Sequence, residues 1–315
     1  MLRYAARRLM EVIPTTFGIL LLTFILFHVV GGSPALVVLG KNATAESIAA
    51  FNHKFGYDKP LLIGNNGKFF DSQFSHFICG LAKGDFGVSA EYDEPVADVL
   101  KRGVGPSLTL TVPILIGGTI VGLMLALLCA AGRGGTLDRT VLVCSTILMS
   151  VNYVVWVLAG QFLLSFKCGL FPIWGYGGAF YLALPVIIGI VSGLGVDVRF
   201  FRTAILDEIY KPYVRTAQSK GLSRPRILVH HVLRNAMIPV VTYVSLAIPY
   251  LFTGSLMLES FFGIPGLGNV SLNAIHSSDM AVVRAVVVLG ALLYQFVNLV
   301  TDLLYAAFDP RVRLA

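Results

Sequence analysis

The 315-residue sequence is 56% hydrophobic and only 13% charged, with a mean hydropathy of +0.78. Soluble domains run about a quarter charged, and too little polar surface remains here to cover such an apolar excess in water, so a soluble globular protein is excluded and the solvent is lipid. The net charge of +7 would suggest nucleic acid in a soluble chain; here it reads as basic loops kept on the cytoplasmic side of a membrane, with no nucleic-acid partner.

A spanning helix needs about 20 apolar residues. Uncharged runs occur at 12–40, 103–132, 140–166, 168–196, 235–258, 260–278 and 285–301. The first, inside "MLRYAARRLMEVIPTTFGILLLTFILFHVV", predicts a helix over 9–31. Its apolar run is longer than a signal-peptide core and has no small-x-small cleavage site, so it is read as a retained span. Residues 32–102 then form an outer segment. Within it, "NATAESIAAFNHKFG" puts Ile48, Phe51 and Phe55 near helical spacing, with Thr44 as the cap. "GDFGVS" is a turn. "DEPVADVLKRG" is a short helix with Pro95 in its first turn and acidic residues at its positive end. Further spans are predicted at 106–132, 139–166, 180–198, 237–258 and 281–306. "CGLFPIWGYGG" reads as a glycine-rich outer turn before the fourth span. The 260–278 run is too rich in Gly, Pro, Asn and Ser to cross lipid and reads as a loop or re-entrant segment. The expected fold is an all-α integral membrane protein with six transmembrane helices and both termini cytoplasmic. Its parts are a tail with the first helix (1–31), an outer subdomain (32–105) and a five-helix core (106–315).

Orientation follows from lysine and arginine. With both termini inside, the inner segments hold 15 of these residues and the outer segments nine, seven of them in 32–102. Long translocated segments count little, which leaves 15 against Lys167 and Arg284. The charge is concentrated in Arg199–Arg234, where eight basic residues face only Asp207 and Glu208. This segment joins the fourth and fifth helices on the inner side.

Chemistry of its own is sparse. There is no G-x-x-x-x-G-K-[ST] phosphate loop, no G-x-S-x-G and no H-E-x-x-H, so no cofactor and no enzyme activity are implied. His230 and His231 are adjacent and do not share a helix face, which argues against a metal site. Cys129 and Cys144 fall in helices; Cys79 and Cys168 fall in outer segments, where a disulfide is one open alternative. Glu11, Asp197, Glu259 and Arg284 are placed near span ends, which gives little support to an ion relay and hence to a secondary transporter. The chain reads as a pathway whose energy arrives from elsewhere.

The segment Tyr213–Gly221 suits a short amphipathic helix, started by Pro212 and stopped by Gly221. At 100° per residue Tyr213, Val214, Ala217 and Gly221 share an apolar arc, and Arg215, Gln218 and Ser219 another. Ser223, Arg224 and Pro225 start a second helix leading into the fifth span. A helix held at lipid headgroups by its arginines is one reading of this pattern.

"RTAQSKG" followed by "HVLRNAMIP" resembles the cytoplasmic loop of permease subunits of ATP-binding-cassette importers. That loop has an E-A-A box, a glycine four residues later, and I-x-L-P ten residues beyond. Here Arg215-Thr216-Ala217, Gly221 and His231-Val232-Leu233-Arg234 stand at those places. "MLRYAARRL", "GLAKGDFGVS", "VRFFRTAILDEIYKPYVRTAQSKGLS", "HHVLRNAMIPVV", "ESFFGIPGLG" and "LVTDLLYAAFDPRVR" extend the resemblance over almost the whole chain. They narrow it to the peptide/nickel-type branch, which includes oligopeptide and dipeptide permeases of the inner membrane. Two stretches depart from the pattern: "MSVNYVVW" has Asn152 where a proline is usual, and "IGNNGKFFDSQFSHFICG" is unlike the usual short connection.

The resemblance implies a type I importer permease paired with a second, homologous permease subunit, two cytoplasmic ATPase subunits and an extracytoplasmic substrate-binding protein. The loop 199–236 would couple to the ATPase through Tyr213, Val214, Arg215, Ala217, Lys220 and Gly221, with the apolar arc as contact core. Glu259, Gly263, Pro265, Gly266 and Gly268 would form an outer gate or loop support. The cargo of this branch is peptide, nickel or another small solute.

Overall fold

The computed structural model describes residues 2–30, 35, 43–55, 58–62, 71–253 and 255–308. Residues 63–70 of the unusual outer stretch, and 309–315 with Arg311 and Arg313 of the charge count, lie outside them. Among the described residues the regular secondary structure is all helix, joined by turns and loops, with one isolated bridge between Val88 and Pro95. That is the expected solution in lipid, where each backbone polar group must be satisfied within its own segment.

The helices are α1 (Leu2–Val30), α2 (Ala45–Phe55), α3 (Gln73–Ala82), α4 (Val96–Ala131), α5 (Thr136–Ser150), α6 (Tyr153–Lys167), α7 (Ala179–Ile209) and α8 (Pro212–Ser219). They continue with α9 (Arg224–Ile227, Leu228–Val232 and Leu233–Thr253 in succession), α10 (Leu256–Phe262), α11 (Leu267–His276) and α12 (Met280–Phe308). Five of them, α1, α4, α7, α9 and α12, are long and apolar enough to cross a membrane, and α5 with α6 makes a sixth crossing if counted as one span.

Several boundaries differ from those predicted. The short helix expected around 96–102 and the span expected from 106 are one 36-residue helix, α4. α7 continues to Ile209 instead of stopping near 198, and α9 begins at Arg224. Apolar composition marks only the part of a helix that meets hydrocarbon; the backbone ladder continues past it. The third span is broken. Val151 leaves helical geometry at φ −92, ψ 129, Asn152 caps the next helix by accepting from the Val154 N–H at 2.9 Å, and α5 meets α6 at 94°. The bend falls where the sequence lacks the usual proline and is made by an asparagine cap.

The chain divides into two compact units, 1–105 with 266–315, and 106–265. In the first, α1 packs along α12, and Gln295 ties them: its amide donates to the Val12 carbonyl (3.0 Å) and accepts from Thr16 Oγ1 (3.1 Å). Such side-chain bonds hold helices together where lipid supplies no hydrophobic drive. Phe24 meets Phe74 and Phe77 of α3 at ring distances of 5.3 and 5.7 Å. Thr44 caps α2, accepting from the Ser47 N–H at 3.3 Å, as expected. Buried Asp279 heads α12, accepting from Ser89 Oγ at 2.5 Å and from the Val282 N–H at 3.3 Å. All four cysteines are free thiols.

In the second unit, α5 lies closely along α7. A Cβ at buried Gly195 would come within 2.7 Å of the Ser145 carbonyl oxygen and of Met149 Cγ. Arg202 of α7 grips Asp138 at the start of α5 with two bonds, 2.7 and 2.8 Å, and the Gly134 N–H adds a third at 2.9 Å. This bidentate fork holds the end of α7 to the turn before α5.

Candidate functional site

The basic segment folds around α8. Pro212 takes the first helical position, where its fixed φ suits a helix and its missing N–H costs nothing. At the other end Gly221 adopts φ +77. Its N–H reaches the Gln218 carbonyl at 2.9 Å and the Leu222 N–H reaches that of Ala217 at 3.3 Å. This paired closure satisfies the last carbonyls and needs a left-handed residue. Leu222 then turns back onto the same apolar cluster as Ala217.

The arc picked out by helical spacing points inward. Val214 is 2% exposed and Ala217 6%, packed in one cluster with Ala126 and Ala130 of α4, Phe201 and Ile205 of α7, and Ile227, Leu228 and Val232 of α9. Tyr213 is half-buried against it, and its hydroxyl donates to Glu208 Oε2 at 2.7 Å; Lys211 pairs with the other oxygen. Burial raises the Tyr213 phenol's pKa above its ordinary value. The residues turned outward are Arg215, Thr216, Gln218, Ser219 and Lys220, with Gly221 beside them. The arc expected as the contact core for a partner is therefore spent on fixing α8 to the ends of three long helices. Sequence reasoning could not choose between the two faces, because an inward and an outward apolar arc have the same period. It also missed Glu208, whose signal is its placement three and five residues before Lys211 and Tyr213.

The second predicted cluster divides by conformation. Glu259 is fully buried; its Oε1 accepts from Ser107 Oγ at 2.8 Å and from the Ser255 N–H at 3.0 Å, while its carbonyl accepts from the Ile264 N–H at 2.8 Å. It ties both ends of α10 together and to α4. Gly263 closes α10 at φ +67, with the indole of Trp174 laid against it: a Cβ there would sit 2.1 Å from Trp174 Cε2. Gly175 adds a bond from its N–H to the Phe262 carbonyl at 2.8 Å, so the glycine-rich turn predicted at 174–178 is the lid of this corner. Pro265 is exposed. Gly266, at φ −94 and ψ 179, has extended backbone open to any residue, and Gly268 lies inside α11, buried. Of these three glycines only Gly263 needs left-handed geometry.

Residues 105–314 match the family described as "Binding-protein-dependent transport system inner membrane component", and residues 1–111 match the N-terminal part of such components. The glutathione transport system permease protein of Shigella flexneri serotype 5b is 34% identical over 317 residues, covering 99% of both chains. The proteins of the same description from Escherichia coli K12 and Shigella boydii serotype 4 are each 33% identical, again covering 99% of both. A chain with five or six apolar crossings that matches these proteins from end to end is a multi-pass inner-membrane transport subunit, and it belongs to the permease family of binding-protein-dependent, ATP-binding-cassette importers.

Proposed function

We propose that the chain forms half of the membrane pathway of an ATP-driven peptide importer and receives its motor through the outer face of α8. The observation that carries this reading is the construction of α8: one face is locked into the ends of α4, α7 and α9, and the other presents Arg215, Gln218, Ser219 and Lys220. A push on such a helix moves the bundle with it. Two cytoplasmic ATPase subunits hydrolyse the ATP, and closing around it changes how they hold α8. That differential binding is what coupling between remote sites requires. Arg215 and Lys220 pair with acidic groups on the motor; Tyr213, Val214, Ala217 and Gly221 keep the helix in place. Glu259 and Gly263 support the outer corner.

A second, homologous permease completes the pathway, and an extracytoplasmic binding protein delivers the cargo. The lysine and arginine distribution supports α8 and both termini on the cytoplasmic side. The relatives are named for transport of glutathione, itself a small peptide, which supports peptide as the cargo class.

The test is purification from native membrane. ATPase subunits and a second permease are expected to co-purify. Reversing both charges, Arg215→Glu with Lys220→Glu, is expected to weaken ATPase retention in a salt-dependent manner and to lower uptake while the protein still inserts. Unchanged retention and uptake would remove the coupling assignment. A stand-alone homomer driven by an ion gradient would make the protein a secondary transporter. A binding protein that takes nickel or another small solute would replace the cargo alone.

A further inference from the structure

The extension of α7 to Ile209 changes the position of Asp197. It lies 18 residues from one end of the helix and 12 from the other, about 27 and 18 Å along the axis, within a continuous helix and at the inner end of its apolar stretch, two residues before Arg199. Its carboxylate is built into place. Tyr243 of α9 donates its hydroxyl to Asp197 Oδ1 at 2.8 Å. The Tyr243 ring is stacked on Phe200 at 4.5 Å and meets Phe201 edge-on at 5.7 Å, so its hydroxyl has one direction to point.

The other oxygen faces a cleft of about 330 Å³ whose walls include Ile114, Gly118, Gly193 and Leu246. A Cβ at Gly118 would stand 3.5 Å from Oδ2 and one at Gly193 3.8 Å, so the two glycines keep the approach to that oxygen open. No basic side chain is among the residues lining the cleft. An acidic group open to lipid would be costly, and such groups face water-filled paths or opposite charges. The volume is at the small end for ligand pockets, enough for the end of a peptide and too small for the whole. One carboxylate with the hydroxyls of Thr119 and Tyr243 among otherwise apolar walls falls short of the several charged oxygen or nitrogen ligands that a divalent metal demands. It suits a protonated amine. A single charge-assisted bond also meets the need of a pathway, where cargo must be held and then released.

We propose that Asp197, aimed by Tyr243, is a cation-recognition point in the translocation pathway and takes the ammonium group of a passing peptide. The proposal rests on the peptide-import reading above. It is tested in the full complex, with its partner permease, ATPases and binding protein, reconstituted in vesicles. The quantity read is peptide delivered per ATP hydrolysed, with dialanine and lysyl-alanine as probes. Asp197→Asn is expected to lower that ratio about tenfold, more for lysyl-alanine with its second ammonium. Asp197→Glu is expected to recover most of it, and Tyr243→Phe, which keeps the ring and removes the aiming bond, to fall between. An Asn variant that delivers both peptides like the wild type sinks the proposal and leaves the import reading intact. A Glu variant no better than Asn shows a purely structural carboxylate and also overturns it. Loss of the partner permease from the Asn complex overturns it too, since the carboxylate then pairs with a cation of that subunit. A wild-type complex that moves neither peptide removes the import reading and this proposal together.

Discussion

Gly221 and Gly263 both close helices at positive φ, and they do so for different reasons. No atom lies within 4 Å of a Cβ built at Gly221, so only its φ of +77 constrains the side chain. Gly221→Val is expected to cost about 1–2 kcal/mol, whereas Gly221→Asn, which tolerates the left-handed region, should lose a fraction of that. At Gly263 the same Asn substitution should fail, because Trp174 occupies the space its Cβ needs. Thermal unfolding of the detergent-solubilised protein checks both: rescue by Asn at 221 and not at 263 is the expected pattern. Both glycines were legible in the sequence, Gly221 as the stop of an amphipathic helix and Gly263 as part of an outer gate or loop support. The indole that makes Gly263 doubly constrained comes from 89 positions earlier in the chain, and no local pattern reports a contact of that range.

Among elements, the pairing of α5 with α7 depends on Gly195. A side chain there meets a backbone oxygen, which cannot rotate away as a flexible side chain would. Gly195→Val is therefore expected to separate the two helices and destabilise the protein by about 1–3 kcal/mol, measured as a lower unfolding temperature, with Gly193→Ala as a milder control. The fork of Arg202 on Asp138 lies along the same contact. Neither was foreseen: Arg202 was counted as loop charge because the composition boundary at 198 hid the last turns of α7. α8 was legible in its limits, from Pro212 to the closing Gly221, because those depend on local backbone chemistry. Its facing was not, since burial of Val214 and Ala217 is decided by α4, α7 and α9. Asn152 was visible only as a missing proline, although an asparagine before an apolar stretch is itself a helix-start signal.

At the scale of the whole molecule, the spans were legible because hydrocarbon imposes one length and one composition on every crossing. The topology inferred from charge makes a direct prediction for the thiols. Cys79 and Cys168 are exposed and unpaired, and both are assigned to the outer side. A membrane-impermeant maleimide added to intact spheroplasts should label both without prior reduction, while Cys129, buried within α4, stays unlabelled. Labelling of either outer cysteine only after lysis would invert the topology. The 94° break in the third crossing has one more consequence. A proline writes a bend into the covalent chain by removing a donor. Asn152 holds its bend with one accepted hydrogen bond, worth about 1 kcal/mol, and leaves every backbone donor in place. The third crossing therefore turns on a weak cap set in a stronger frame: α6 is held in its direction by Gln161, whose amide donates to the Ile173 and Phe261 carbonyls at 2.8 and 2.9 Å, so releasing Asn152 loosens the corner without straightening it.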